Sequence, residues 1–75
     1  MKEIEEIIEE IYREKGTDFI FEEELKAALR EKGLNEEKAS TALYHAMGTT
    51  QIEVCYRYVE GEMRLGYEIR EAQSR

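Results

Sequence analysis

The pair Glu60-Gly61, set between two runs of alternating character, constrains this chain more than any other feature. A two-residue hairpin loop needs positive φ angles, and glycine at its second place accepts one without steric cost. With that pair as the loop, Val59 faces Glu62 and the rest of the register follows. Tyr58 meets Met63, Tyr56 meets Leu65, Val54 meets Tyr67 and Ile52 meets Ile69 on one face, while Arg57 meets Arg64, Cys55 meets Gly66, Glu53 meets Glu68 and Gln51 meets Arg70 on the other. Side chains of a strand point alternately to its two sides, so a slip by one residue would spoil both faces at once. The sequence therefore specifies one β-ribbon, whose tyrosine side is predicted to pack against whatever precedes it.

The preceding residues are helical in pattern. Ile4, Ile7, Ile8, Ile11 and Tyr12 recur at the spacing of one helix face, with Glu5, Glu6, Glu9, Glu10 and Arg13 elsewhere, and Gly16 supplies a left-handed end. The segment from Thr17 to Phe21 admits two readings: a short strand at Phe19, Ile20 and Phe21, or a helix from Phe19 capped by Asp18. A second helix follows, anchored by Phe21, Leu25, Ala28 and Leu29, with Glu22, Glu23 and Glu24 at its positive end and Lys32 closing it. Gly33 and Leu34 lead into Asn35, an N-cap for a third helix that runs to about Met47 and buries Ala39, Ala42, Leu43, Ala46 and Met47. Leu34 is placed to staple onto Ala39, and the alanines let this helix approach its neighbours closely.

Seventy-five residues suffice for one core, so residues 1–70 are expected to form a single domain and 71–75 a C-terminal tail. No apolar run approaches the ~20 residues of a spanning helix, and Met-Lys-Glu followed by an acidic amphipathic stretch is unlike a signal peptide. No membrane association and a cytoplasmic address are expected. Cys55 is the single cysteine and His45 the single histidine, so neither an internal disulfide nor a structural zinc site is expected. Lacking a glycine-rich phosphate loop, a nucleophile elbow or a partner for His45, the sequence predicts neither an enzyme nor a cofactor, metal or small-molecule site.

Helix, short strand, two helices about a glycine-containing turn and a terminal hairpin together resemble the winged helix-turn-helix family, over about residues 4–70. The resemblance implies an α+β fold of three helices and a hairpin wing, with residues 19–21 as a third strand beside Met63 to Ile69. It further implies a small DNA-binding protein, a transcriptional regulator that places the helix at 35–47 in the major groove and the wing on the backbone of double-stranded DNA. Carried onto this sequence, the contacting residues would be Lys38, Thr41, Tyr44, His45 and Thr49, with Thr50 beside them, and Arg57 and Arg64 of the wing. A homodimer is expected, because twofold operators reward twofold proteins.

Charge complicates that expectation. The net charge is -7; residues 1–34 hold eleven acids and six bases (-5) and residues 35–75 hold seven and five (-2), so the excess lies away from the implied face. Glu36 and Glu37 nevertheless stand at the end of the third helix that would approach phosphate. Arg57 and Arg64 directly opposite each other repel by about 0.8 kcal/mol at ~5 Å in water, a cost that a phosphate would relieve or that Glu60, Glu62 and Glu68 would neutralise locally. The alternatives are an acidic winged-helix protein–protein interaction module, or a nucleic-acid mimic built on the glutamate rows of the first helix.

Overall fold

The apolar stripe of the first segment becomes α1 (Ile4–Lys15), which buries Ile8, Ile11 and Tyr12 and carries Glu5 and Glu6 in its first turn and Arg13 and Lys15 in its last. A computed structural model describes residues 3–70; the expected tail, 71–75, lies outside the described residues. Gly16 stops the helix at φ 68°, where its N–H reaches back to the carbonyls of Tyr12 and Arg13.

Between the two readings of the next segment, the strand prevails: β1 (Phe19–Phe21) is extended, and the N-cap position of the helix that follows is Phe21, not Asp18. Instead the Asp18 carbonyl accepts the Ile69 N–H at 2.9 Å, lengthening the ladder by one bond. Alternation decides the case, because Ile20 alone enters the core while Phe19 and Phe21 turn to the opposite face of the sheet. Phe21 is thus not on the buried side of the second helix, as its spacing to Leu25 implied. That helix, α2 (Glu22–Glu31), begins at the next residue, with Glu22, Glu23 and Glu24 in its first turn and Leu25 and Leu29 buried.

Gly33 at φ 105° turns the chain, and α3 (Glu36–Gly48) starts under Asn35, whose Oδ1 accepts the Lys38 N–H at 2.8 Å. The close-packing alanines Ala39, Ala42 and Ala46 are buried with Leu43, and Leu34 packs on the same cluster. Met47 is only half-buried, short of the full burial expected for it.

The strands β2 (Ile52–Val59) and β3 (Glu62–Ile69) pair in the register read from the sequence, from Val59 opposite Glu62 to Ile52 opposite Ile69. Glu60 at φ 52° and Gly61 at φ 84° form the loop, the two positive φ angles of a type I′ turn. β1 adds to the other side of β3, with Ile20 opposite Tyr67, giving one antiparallel sheet in the order β1-β3-β2. The core lies between the helices and the inner face of this sheet, and no polar or charged residue is buried among the described residues. Within it the buried Tyr12 hydroxyl donates to the Tyr67 carbonyl at 2.7 Å.

The inner face of the hairpin is covered only at its base. Ile52 and Tyr67 are buried, whereas Val54 (46%), Tyr56 (63%), Tyr58 (72%) and Met63 (64%) are exposed, so the expectation of a fully packed tyrosine side is not met. Two eight-residue strands reach about 26 Å, and the helices cover only the end near Ile52 and Tyr67, where the three-residue β1 widens the sheet. The loop end of the ribbon overhangs.

Candidate functional site

The residues that the sequence singled out do not converge on one place. On α3, Lys38 and Thr41 border a groove against Ile4 and Ile7 of α1, with Leu34 and Lys32 from the turn. Thr41 spends its hydroxyl proton on the Glu37 carbonyl at 3.0 Å. His45 turns to α1, where its Nε2 lies 3.4 Å from Glu5 Oε2. At the C-terminal end, Thr49 donates to the Ala46 carbonyl at 3.2 Å, and Thr50, in the left-handed region at φ 60°, donates to the Thr49 carbonyl. The three hydroxyls are thus occupied by nearby backbone. Tyr44, 74% exposed, points away from all of these, toward the hairpin.

Arg57 and Arg64 lie on the outer face of the sheet, the face turned away from α3. Phe19 and Phe21 occupy that face as well, edge to face with ring centroids 5.0 Å apart. The guanidinium of Arg57 stacks 4.0 Å above the Phe19 ring, and that of Arg64 stacks 4.2 Å above Phe21 while reaching Glu23 at 3.6 Å. Each cation therefore has a π face as partner, and Arg64 a carboxylate too. The Phe19 ring crosses the strand at Gly66, where a Cβ would meet it at 2.2 Å. The gap that the Cys55–Gly66 pair left in the sequence is filled by this ring. Sequence reasoning missed the stack, although Phe19 and Phe21 flanking a core isoleucine, and a glycine inside a strand, were its two visible signs.

What the structure does assemble is an apolar face on the inner side of the hairpin. Tyr44 and Met47 of α3, with Val54, Tyr56 and Leu65, line a cleft of about 330 Å³ whose α2 wall carries Glu22 and Lys26. Those two charges pair with each other at 3.5 Å. Tyr58 opposite Met63 is the next pair with side chains on that face, so the exposed apolar surface runs unbroken toward the loop end. Burial raises the pKa of Tyr67 on its floor. No metal-ligating cluster of His, Cys, Asp and Glu occurs among the described residues, and no helix among them is long and apolar enough to cross a membrane.

Three helices and a three-stranded antiparallel sheet ending in a β-hairpin define an α+β protein with a layout consistent with a winged helix. Compared with protein-family models, with curated proteins and with solved structures, the chain matches none.

Proposed function

We propose that this chain is a winged-helix protein-interaction module, acting in the cytoplasm, whose working surface is the apolar face shared by Tyr44 and the overhanging half of the hairpin. One observation carries the reading: Tyr44, Val54, Tyr56, Tyr58 and Met63, the exposed large apolar side chains, gather on one side of the molecule. Scattered singly they would need no explanation, but contiguous apolar surface rimmed by charge marks contact sites, and tyrosine and methionine are enriched there.

DNA binding is the second reading, favoured by the tight α2–α3 pair and by Lys38, which has no ion pair among the described residues. The leading ends of both elements that would meet phosphate weigh against it. Glu36 and Glu37 open α3, Glu60 lies in the hairpin loop with Glu62 beside it, and Arg57 and Arg64 are stacked on the opposite face.

A photo-reactive residue placed at Tyr58 and activated in the native cell tests the first reading. A protein adduct of discrete mass is expected there and not at the exposed control Glu14; a smear or no adduct at Tyr58 removes it. Titration of mixed duplex DNA at low salt tests the second, which requires retardation that fades steeply with salt and is weakened by Lys38→Ala or Arg57→Ala. The interaction reading expects no retardation.

A further inference from the structure

We propose that the occupant of this face is a second copy of the chain, joined edge to edge through β2 in antiparallel register about Cys55. The proposal rests on the interaction reading above and names its partner.

β2 is the last strand of the sheet order, so among the described residues one of its edges is unpaired over all eight positions. Natural edge strands are guarded by lysine, proline, bulges or covering segments. β2 has no lysine, no proline and an uninterrupted one-to-one register with β3. Which of its groups face the open edge follows from the hydrogen bonds at the base. Arg70 N–H bonds to the Gln51 carbonyl at 2.8 Å and Ile69 N–H bonds to Asp18, so Gln51 is bonded toward β3 and the alternation continues up the strand. The N–H and C=O groups of Ile52, Val54, Tyr56 and Tyr58 therefore point to the free edge.

Two copies of this edge fit each other in one register better than in its neighbours. With the twofold axis at Cys55, Glu53 faces Arg57 of the second copy, and by symmetry Arg57 faces Glu53, two opposite-charge cross-strand pairs. Moving the axis to Val54 or Tyr56 loses both pairs, and moving it to Glu53 or Arg57 sets like charges together. The Cys55 register also makes Val54–Tyr56 and Ile52–Tyr58 the contacts on the inner face. Because the strands run in opposite directions, the overhanging half of each hairpin lies beside the covered base of the other. Tyr56 comes beside the other copy's Val54, which lines the cleft with Tyr44, and Tyr58 comes beside its Ile52, over which the helices lie. Tyr56 of one copy thus meets the cleft of the other and Tyr58 meets the covered base beside it, in a continuous six-stranded sheet.

Light scattering on the purified chain across a concentration series reads the state directly, with a mass moving from 8.9 kDa to twice that value expected. Tyr58→Lys alters a side chain that is exposed in the single copy and is expected to hold the lower mass with an unchanged far-ultraviolet spectrum. Glu53→Arg should weaken association about tenfold, and Glu53→Arg with Arg57→Glu should restore it. The axis is tested by copper(II) phenanthroline. The facing Cys55 residues form a non-hydrogen-bonded pair with Cα atoms about 4.5 Å apart, within disulfide reach, so two thiols give up two protons and two electrons to the copper and form one S–S bond. A covalent dimer that Cys55→Ser abolishes, while association persists, supports the register. A single-chain mass at every concentration overturns the proposal, as does a dimer that survives Tyr58→Lys and gives no Cys55 cross-link. If the chain stays single while the probe at Tyr58 joins a different protein, the second copy is excluded and the interaction reading stands; if no adduct forms either, both fall.

Discussion

A methyl group at position 66 would lie 2.2 Å from the ring of Phe19, so this glycine is needed for closeness and not for its φ. Glycine inside a strand is otherwise a liability, because it has no side chain to pack and loses more backbone entropy. The two effects oppose each other, and the ring decides the sign. Gly66→Ala should cost about 1 kcal/mol, because the ring must swing off the strand and out from under Arg57. In a Phe19→Ala background the same substitution should be neutral or stabilising, and urea denaturation of the four proteins of that cycle measures the reversal. Tyr12 offers a second test at this scale. Burial is the main cause that raises its pKa far above the ordinary 10.0, with Tyr67, Asp18 and Glu68 adding to it. Above pH 10 the unfolded chain releases this proton and the folded one keeps it, so the folded state binds more protons and stability falls as pH rises. The loss starts near the ordinary value and continues toward the raised one. Tyr12→Phe should cost about 1–2 kcal/mol at neutral pH through its bond to the Tyr67 carbonyl, and should flatten the alkaline limb of a stability profile. A limb of equal slope in both proteins would assign the alkaline loss elsewhere.

At the scale of elements, what was legible in the sequence is what local geometry fixes. Asn35 as a cap, Gly16 as a stop and the whole hairpin register needed only spacing and turn chemistry, and the structure has them as read. Phe21 was misplaced because its spacing to Leu25 fits a helix face, while its spacing to Phe19 fits a strand face; only the pairing with β3 chooses between them. The loop shows an imperfection that the sequence also displays. Glu60 sits at φ 52°, a left-handed angle that a glutamate tolerates poorly and that asparagine adopts readily. Glu60→Asn should therefore stabilise the hairpin by about 0.5–1 kcal/mol, read as a higher denaturation midpoint at unchanged slope. Asn35→Ala should act oppositely, costing about 1 kcal/mol by freeing the Lys38 N–H.

The whole molecule is where sequence reasoning about the site ran out. The implied contact residues on α3 and on the wing are all at exposed or half-buried places, yet the hydroxyls of Thr41 and Thr49 are turned to backbone and the two arginines face away from α3. The register already sets the two arginines on the face opposite the tyrosines, and the threonine bonds are local to the helix; what the spacing leaves open is the stacking of the arginines on Phe19 and Phe21, which depends on β1 pairing with β3. Charge, by contrast, is read directly from composition, and it makes a prediction about the molecule as a unit. The ion pairs Lys26–Glu22, Lys32–Glu14, Arg64–Glu23 and Arg70–Glu53 all involve solvent-accessible side chains, which places each at about 0–1 kcal/mol. Against them stands a net charge of -7 held within principal extents of 41 × 34 × 23 Å. At about 0.01 M salt the screening length is ~30 Å, comparable to those extents, whereas at about 0.15 M it is ~8 Å. Salt therefore removes repulsion that spans the molecule and weakens only a few short pairs, so the melting temperature should rise over that interval. A gain of about 1 kcal/mol corresponds to about 4–8 °C for a domain of this size. Glu6→Lys, which places a cation among Glu9 and Glu10 on α1, should raise the low-salt value and shrink the salt response. Calorimetry at fixed protein concentration decides it, and a melting temperature that falls with added salt would show that the paired charges outweigh the unbalanced ones.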